Sequence, residues 1–440
     1  MVDNKKTTTS RLGVLEKTYI GILSVIFGGI VLHAPFIVGF GTLFPDYDLV
    51  LKSWKEILMG VAAIIAVFLL YKNKRLNLLK NPLVIAIAAY GALHLALIPL
   101  FYSEATPVLA GLLIDLRYLL FFVLVLVAIH LYPEYRKLFI KVGIAGALVV
   151  LVFALLQVFI LPHDILKYIG YNITTIVPYL TVDQNHDFIR INSTLRGPNP
   201  LGAYAGVVLA LIVAALAKHK VRKERWPLTI VTILSAGGVV ALWASYSRSA
   251  LVAALVAIVI VLAITAARRL STRAWVIGLG ILIVLAGALF IAKDSHFISN
   301  VLLHEDPVGG STISSNEGHV ESLKDGLARM IYQPLGAGIG STGSASLLGD
   351  EAVIIENQYL FTAHETGWLG LVLFISIFVS ILVKLWQKRR DWLALGVLAS
   401  GVGLALIGLL LPVWVDDTIA IIWWGLAAIA LGSTAKVSDL

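Results

Sequence analysis

The chain has 440 residues, of which 59% are hydrophobic and 14% charged, and its mean hydropathy is +0.91. Soluble domains carry about a quarter charged residues, so this composition excludes an ordinary soluble protein and predicts one that spans a lipid bilayer. The absence of cysteine excludes a disulfide framework, a thiolate metal site and a cysteine nucleophile.

Apolar runs long enough to cross the hydrocarbon core, which takes about 20 residues, predict about twelve transmembrane helices in one all-α domain, residues 1–440. Met1–Lys17 is polar and lacks a cleavage pattern, so the first span is expected to be retained and not removed as a signal peptide. The predicted spans are Tyr19–Phe44, Trp54–Leu70, Pro82–Phe101, Pro107–Leu131, Leu138–Leu161, Pro200–Ala217, Pro227–Tyr246, Ser249–Ala267, Ala274–Ala292, Tyr359–Leu385, Trp392–Leu411 and Thr418–Leu431.

The distribution of the 34 basic residues predicts the orientation. Most of them fall in the segments that are cytoplasmic if the N-terminus is inside, and loops rich in lysine and arginine stay on that side. Both termini are therefore predicted to be cytoplasmic. The net charge of +8 follows from this topology, so we expect no nucleic-acid partner.

Two long segments, residues 162–199 and 293–356, fall on the outer side in this topology. Loops of this length are functional or disordered. In the second loop, Ser314-Ser-Asn-Glu317 has the form of a capping box, and apolar residues follow at helical spacing up to Pro334. This pattern predicts a short amphipathic helix lying against the membrane surface or the bundle.

Four polar motifs lie at the outer ends of spans or in the outer loops. The first, Arg190-Ile-Asn-Ser-Thr-Leu-Arg196-Gly-Pro-Asn199, combines two arginines with a helix start, both of which favour phosphate. An ordinary solvated loop explains it equally well. The second, Ser245-Tyr-Ser-Arg248, places a lone arginine in an outer turn, where it binds a ligand or contacts lipid headgroups.

The third and fourth motifs follow in the second half of the chain. His319 stands near the start of the predicted loop helix, where it could donate to an anion, although a histidine on a polar helix face is usually solvated. The glycine-rich run that ends at Ser341 is a weak signal by itself. Glu356 and Asn357 precede the tenth span, and Glu365 lies more than two turns deeper in it. Carboxylates inside spans are costly and point to function, although a buried structural role remains open for Glu365.

In this order, the four motifs resemble those of the O-antigen ligase and polymerase superfamily, from Arg190 to Gly370. The resemblance implies transfer of a glycan from an undecaprenyl-diphosphate carrier to an acceptor hydroxyl, at the outer face of the bacterial cytoplasmic membrane. By position, the diphosphate would be bound by Arg190, Arg196 and Arg248. The base would be Glu356 or His319, supported by Asn199, Asn357 and Glu365.

Two positions depart from the family pattern. Glu356 stands where ligases usually have a histidine proposed as the base, and His319 stands where an arginine is common. A carboxylate accepts a proton as readily as an imidazole does, so the broader class of transferase is retained. The choice between ligase and polymerase stays open. Because arginines can neutralise a diphosphate, we expect the reaction to need no metal or other cofactor. Attack opposite the leaving group would invert the anomeric centre.

Two other functions fit parts of the sequence. Asp46-Tyr-Asp48, just after the first span, has the acidic form favoured by metal-dependent transferases that use a lipid-phosphate sugar. A secondary transporter with twelve helices also fits the composition. Such transporters commonly join two similar halves by a long cytoplasmic connection, whereas here the long loops are predicted to be outside.

Overall fold

The computed structural model describes residues 13–102, 104–182, 185–218, 226–266 and 315–432, without the side chains of Leu49 and residues 315–320. These ranges are mostly helical. In chain order the helices are α1 Val14–Gly29, α2 His33–Leu43, α3 Asp48–Lys52, α4 Trp54–Lys72, α5 Pro82–Phe101, α6 Ala105–Leu131, α7 Arg136–Phe159, α8 Pro198–Ala217, α9 Leu228–Ala244, α10 Arg248–Ala266, α11 Ser315–Tyr332, α12 Gly343–Ser346, α13 Gln358–Gln387, α14 Trp392–Ile407 and α15 Asp417–Gly432.

In the described part of the chain, eight helical segments are long and apolar enough to cross a membrane. They are Val14–Leu43, Trp54–Lys72, Pro82–Phe101, Ala105–Leu131, Pro133–Phe159, Pro198–Ala217, Arg248–Ala266 and Gln358–Gln387, and α9, α14 and α15 are shorter apolar helices. The predicted class, a multi-pass helical membrane protein, is confirmed. The predicted span Ala274–Ala292 lies outside the described residues, so the count of about twelve and the orientation stay predictions.

The first long segment between spans contains secondary structure that the sequence pattern did not predict. After a short 3-10 turn, Ile165–Ile169, strands β1 Tyr179–Val182 and β2 Asn185–Ile191 form an antiparallel ribbon. The turn that follows is anchored on the bundle, since the Ser193 hydroxyl donates to the Val150 carbonyl at 2.7 Å. This anchor fixes the path of the chain from β2 into α8.

In the second long segment, α11 confirms the predicted helix, which ends just before Pro334. The apolar residues Leu323, Leu327 and Ile331 are exposed along it, as expected for an amphipathic helix. Its C-terminal end is held on α13, where the Trp368 indole donates to the Met330 carbonyl at 2.7 Å. The helix therefore lies over the start of α13.

A buried ion network joins helices that are distant in sequence. The Arg117 guanidinium on α6 is 2.5 Å from the Asp417 carboxylate on α15, and His33 and Lys55 lie 3.0 and 3.4 Å from the same carboxylate. Lys55 is also 3.1 Å from Glu56. Opposite charges therefore compensate one another in a region where an unpaired charge would be costly.

We predict that Asp417→Asn lowers the free energy of unfolding by about 3–5 kcal/mol, because it leaves Arg117 and Lys55 buried with one carboxylate fewer. Denaturant unfolding of the purified protein in detergent measures this. Asp48→Asn is the matched control, since Asp48 pairs with Lys52 in an exposed position, where an ion pair contributes little. Equal stability of the two variants would contradict the prediction.

Candidate functional site

The first and second motifs meet at one point, where Arg190 from β2 reaches the N-terminus of α8 and the end of α9. Its guanidinium donates through Nε to the Ser245 carbonyl at 2.9 Å and through Nη2 to Asn199 Oδ1 at 2.7 Å. Arg248 is the first residue of α10, three positions after Ser245, and both arginines are partly buried. We call Arg190, Asn199, Ser245 and Arg248 the arginine corner.

Close packing between α8 and the turn from α9 to α10 holds the arginine corner together. A Cβ atom on Gly202 would lie 2.7 Å from Ser245 Oγ and 2.8 Å from Ala250 Cβ, so only glycine allows this approach. Inside the turn, the Ser247 amide donates to Ser245 Oγ at 3.2 Å. The position of Ser245 relative to α8, and hence of Arg190, follows from these contacts.

Three aromatic residues that the sequence analysis did not single out lie beside the arginine corner. The Tyr246 ring is 6.2 Å from Phe188 on β2 and 6.1 Å from Trp243 on α9, measured between centroids. Tyr246 has a φ of 47°, in the left-handed region that residues with side chains rarely adopt. Strained backbone of this kind clusters at functional sites.

The Arg196 side chain is exposed, and its charge acts on Asp416 in the connection between α14 and α15. Burial raises the pKa of the Asp416 carboxyl, and the charge of Arg196 acts against that rise. Asp416 also accepts a hydrogen bond from the Ile419 amide at 2.9 Å and so caps α15. The diphosphate-binding role of Arg196 stays a prediction.

Glu356 lies between α11 and α13 and is partly buried. Its backbone amide donates to the Ser322 hydroxyl on α11 at 3.1 Å. His319 belongs to the same helix, one turn before Ser322, and its side chain lies outside the described residues. The proposed base is thus held by the amphipathic helix that the sequence predicted.

The Asn357 amide is used for structure. Its Oδ1 accepts hydrogen bonds from the Tyr359 and Leu360 amides at 2.9 and 3.0 Å, which caps α13, and its Nδ2 donates to the Leu409 carbonyl at 2.8 Å. These contacts fix the backbone directly after Glu356, and the supporting role expected for Asn357 in the reaction stays a prediction. Capping asparagines commonly do this at helix starts.

Glu365 lies buried within the bundle against the glycine-rich run. Its Oε1 accepts a hydrogen bond from the Gly340 amide at 3.2 Å, and its carboxyl interacts with that of Asp115 on α6. Asp115 in turn lies 3.4 Å from Nε2 of His94 on α5. These contacts fit the structural role that was left open for Glu365, and they add Asp115 and His94 as neighbours that the sequence analysis missed.

The glycine-rich run is wedged between helices and does not form a phosphate-binding loop at a helix start. Gly340 has a φ of 79°, and a Cβ atom there would lie 2.1 Å from the Pro107 carbonyl oxygen on α6. Further along, the Thr342 hydroxyl and the Gly343 amide donate to the Val353 carbonyl at 2.9 and 2.8 Å. The run therefore fixes the chain three residues before Glu356.

The end of α14 lies between the arginine corner and the Glu356 segment. The Gln358 amide donates to the Gly408 carbonyl at 2.8 Å, and Ile407 lines a narrow crevice together with Ala203 of α8 and Ala250 of α10. Both groups of predicted residues thus border the same end of the same helix.

The alternative acidic motif has a different setting. Asp46 is exposed, and the Asp48 carboxylate is paired with Lys52 at 2.6 Å. Across the described ranges, no group of three or more His, Asp or Glu side chains is arranged to hold a metal ion. The two aspartates therefore have the environment of a solvated turn.

The second half of the chain is similar to a known protein family. Residues 233–375 match the family model described as O-antigen ligase. The resemblance to the O-antigen ligase and polymerase superfamily is confirmed. The matched segment contains Arg248, His319, Glu356, Asn357 and Glu365, whereas Arg190, Arg196 and Asn199 precede it. No curated protein matched the chain.

We predict that Gly340→Ala lowers the free energy of unfolding by about 2–4 kcal/mol, because the added methyl group meets the Pro107 carbonyl and the backbone conformation disfavours alanine. Unfolding in detergent measures this change. Gly91→Ala on α5 is the control, since its Cβ atom would meet nothing within 4 Å. A Gly340→Ala protein as stable as the control would show that the run is packed differently.

Proposed function

We propose that this protein transfers a glycan from an undecaprenyl-diphosphate carrier to an acceptor hydroxyl at the outer face of the bacterial cytoplasmic membrane. The observation that carries the proposal is the arginine corner, in which Arg190 bonds both to the N-terminal turn of α8 and to Ser245, three residues before Arg248. The O-antigen ligase family match over residues 233–375 supports the same class of reaction.

The leaving group sets the first chemical requirement. When the bond between the anomeric carbon and the diphosphate oxygen breaks, its electron pair stays on the diphosphate. Arg190 and Arg248 would stabilise this charge by charge-assisted hydrogen bonds. Arg190 is already oriented by the Ser245 carbonyl and Asn199, so less side-chain freedom is lost when the diphosphate binds.

The acceptor sets the second requirement. Its hydroxyl oxygen forms the new bond to the anomeric carbon, and Glu356 would take the hydroxyl proton as general base. The Glu356 backbone is held by the Ser322 hydroxyl of α11, and the next residue, Asn357, caps α13. A base that is held in place needs less reorganisation during the reaction.

The proposed reaction is inverting and needs no metal ion. Attack on the side opposite the diphosphate inverts the anomeric centre. The arginines supply the positive charge that a divalent ion would otherwise provide, so transfer is proposed to be independent of metal. A metal-dependent transferase that uses Asp46 and Asp48 would instead lose transfer in chelator and recover it with magnesium or manganese.

A transfer assay tests the function directly. Purified protein is incubated with undecaprenyl-diphosphate oligosaccharide and candidate acceptors, with and without chelator, and the products are identified by mass spectrometry. Ligase and polymerase activities differ in whether the acceptor is a separate glycolipid or a second lipid-linked glycan. A folded protein that binds the donor but yields no product with any acceptor would contradict the proposal.

The role of Glu356 yields a mutational prediction. Glu356→Gln should retain donor binding and lower the turnover number by roughly 10²- to 10⁴-fold, the usual contribution of a general base. Turnover and donor binding are measured on the same purified sample. Glu351→Gln, an exposed carboxylate in the same segment, should behave as wild type. If folded Glu356→Gln protein keeps the wild-type rate, His319 becomes the candidate base.

A second prediction concerns the shape of the Arg190 guanidinium. Arg190→Lys retains the charge but cannot contact Ser245 and Asn199 through one planar group, so kcat/KM should fall by roughly 10- to 100-fold. Steady-state kinetics with the lipid-linked donor measure this loss. The control is Arg389→Lys, two residues after α13 ends and therefore at the end of that helix far from Glu356. Identical kinetics for both variants would remove Arg190 from the site.

A further inference from the structure

Beside the arginine corner, an aromatic side chain from the β-ribbon meets two that lie at the end of α9 and in the turn after it. Phe188 comes from β2, Trp243 from the last turn of α9, and Tyr246 from the turn before α10. The Tyr246 ring is edge-on to Phe188, with an interplanar angle of 64°, and tilted by 47° to Trp243. We call these three residues the aromatic platform.

The platform and the arginine corner share one stretch of backbone. Arg190 donates to the carbonyl of Ser245, the residue directly before Tyr246, and Arg248 follows two residues later. Phe188 is two residues before Arg190 on the same strand, and both contact this turn. A ligand group bound by the arginines would therefore lie beside the aromatic rings.

Covalent structure decides what lies next to the diphosphate. In a lipid-linked glycan, the first sugar is attached through its anomeric carbon directly to the terminal phosphate. The C–H bonds on one face of a pyranose ring are weakly positive at hydrogen, and the face of an aromatic ring is negative. Aromatic rings beside a phosphate-binding group thus suit a sugar diphosphate better than a diphosphate alone.

Membrane anchoring explains only part of this arrangement. Trp243 is 53% exposed, and tryptophan is enriched at the membrane interface. Anchoring does not require a partly buried Phe188 supplied by a ribbon, or a Tyr246 held at a φ of 47°. These two features place rings from separate elements against one another beside the arginines.

We propose that Phe188, Trp243 and Tyr246 form a carbohydrate subsite for the first sugar of the donor, the residue attached to the diphosphate. This inference rests on the proposed function and goes beyond it, because it gives the aromatic platform a role in distinguishing the loaded carrier, which bears a glycan, from the empty carrier, which is undecaprenyl diphosphate alone. The arginines bind the part that both carriers share. The aromatic platform binds the part that only the loaded donor has.

Binding measurements with two ligands test this subsite. Full-length protein in nanodiscs is titrated with undecaprenyl-diphosphate oligosaccharide and with sugar-free undecaprenyl diphosphate. Trp243→Leu and Phe188→Leu should each weaken binding of the loaded carrier by about 10-fold and leave binding of the empty carrier unchanged. Unchanged binding of the empty carrier also shows that the variants are folded.

Two further variants sharpen the test. Trp243→Phe retains an aromatic ring and should bind the loaded carrier nearly as wild type does. Tyr168→Leu removes a 75% exposed aromatic side chain from the same outer segment and should have no effect on either ligand. If the platform only anchors the protein in lipid, Trp243→Leu will not discriminate between the two carriers, and the subsite is wrong.

The outcomes separate this inference from the function on which it rests. Wild-type protein that binds neither carrier overturns both. Wild-type protein that transfers glycan, combined with equal loss or no loss for the two carriers in the Leu variants, overturns the subsite alone. Selective loss of loaded-carrier binding, reversed in Trp243→Phe, supports it.

Discussion

Non-helical backbone can enter a helical membrane bundle only where the protein satisfies its amide and carbonyl groups, because lipid offers no hydrogen bonds. The run from Pro334 to Gly343 meets this constraint. The Ala337 amide donates to the His364 carbonyl at 2.6 Å, and the Trp368 amide donates to the Pro334 carbonyl at 2.9 Å. Glycine allows the close approach, and Gly367 on α13 supplies a matching kink. The segment carrying Glu356 takes its position from this packing, since the run also holds Val353.

A second constraint is the pairing of buried charges, which also positions the start of α13. Arg117 is paired with Asp417 and also donates to the Val415 carbonyl, which fixes the connection between α14 and α15. That connection in turn donates from the Trp414 amide to the Gln358 side chain at 2.9 Å. The ion network is therefore linked to the start of α13 through this connection. Electrostatic pairing in one part of the bundle thus positions a polar segment in another.

The sequence could predict features that depend on local pattern. The apolar spans follow from hydropathy, and the helix beginning at Ser315 follows from its capping signal and spacing. Contacts between distant residues leave no such pattern. Arg117 and Asp417 are 300 positions apart, so no local spacing pattern could pair them. The β1–β2 ribbon was missed since it is short, irregular in register and only partly apolar.

In the candidate site, too, local patterns identified some residues, whereas contacts between distant residues could not be predicted. Arg190, Asn199 and Arg248 were predicted from residue type and motif order, and the structure brings them to one corner, although their chemistry remains a proposal. Arg196 belongs to the same motif, but its side chain is exposed and its charge acts on Asp416. A motif in the sequence thus identifies a segment of the site, whereas long-range contacts in the fold determine the surroundings of each side chain in that segment. In the aromatic platform, Trp243 and Tyr246 are three positions apart in the chain, whereas their proximity to Phe188 is a contact between distant segments that no local pattern predicts.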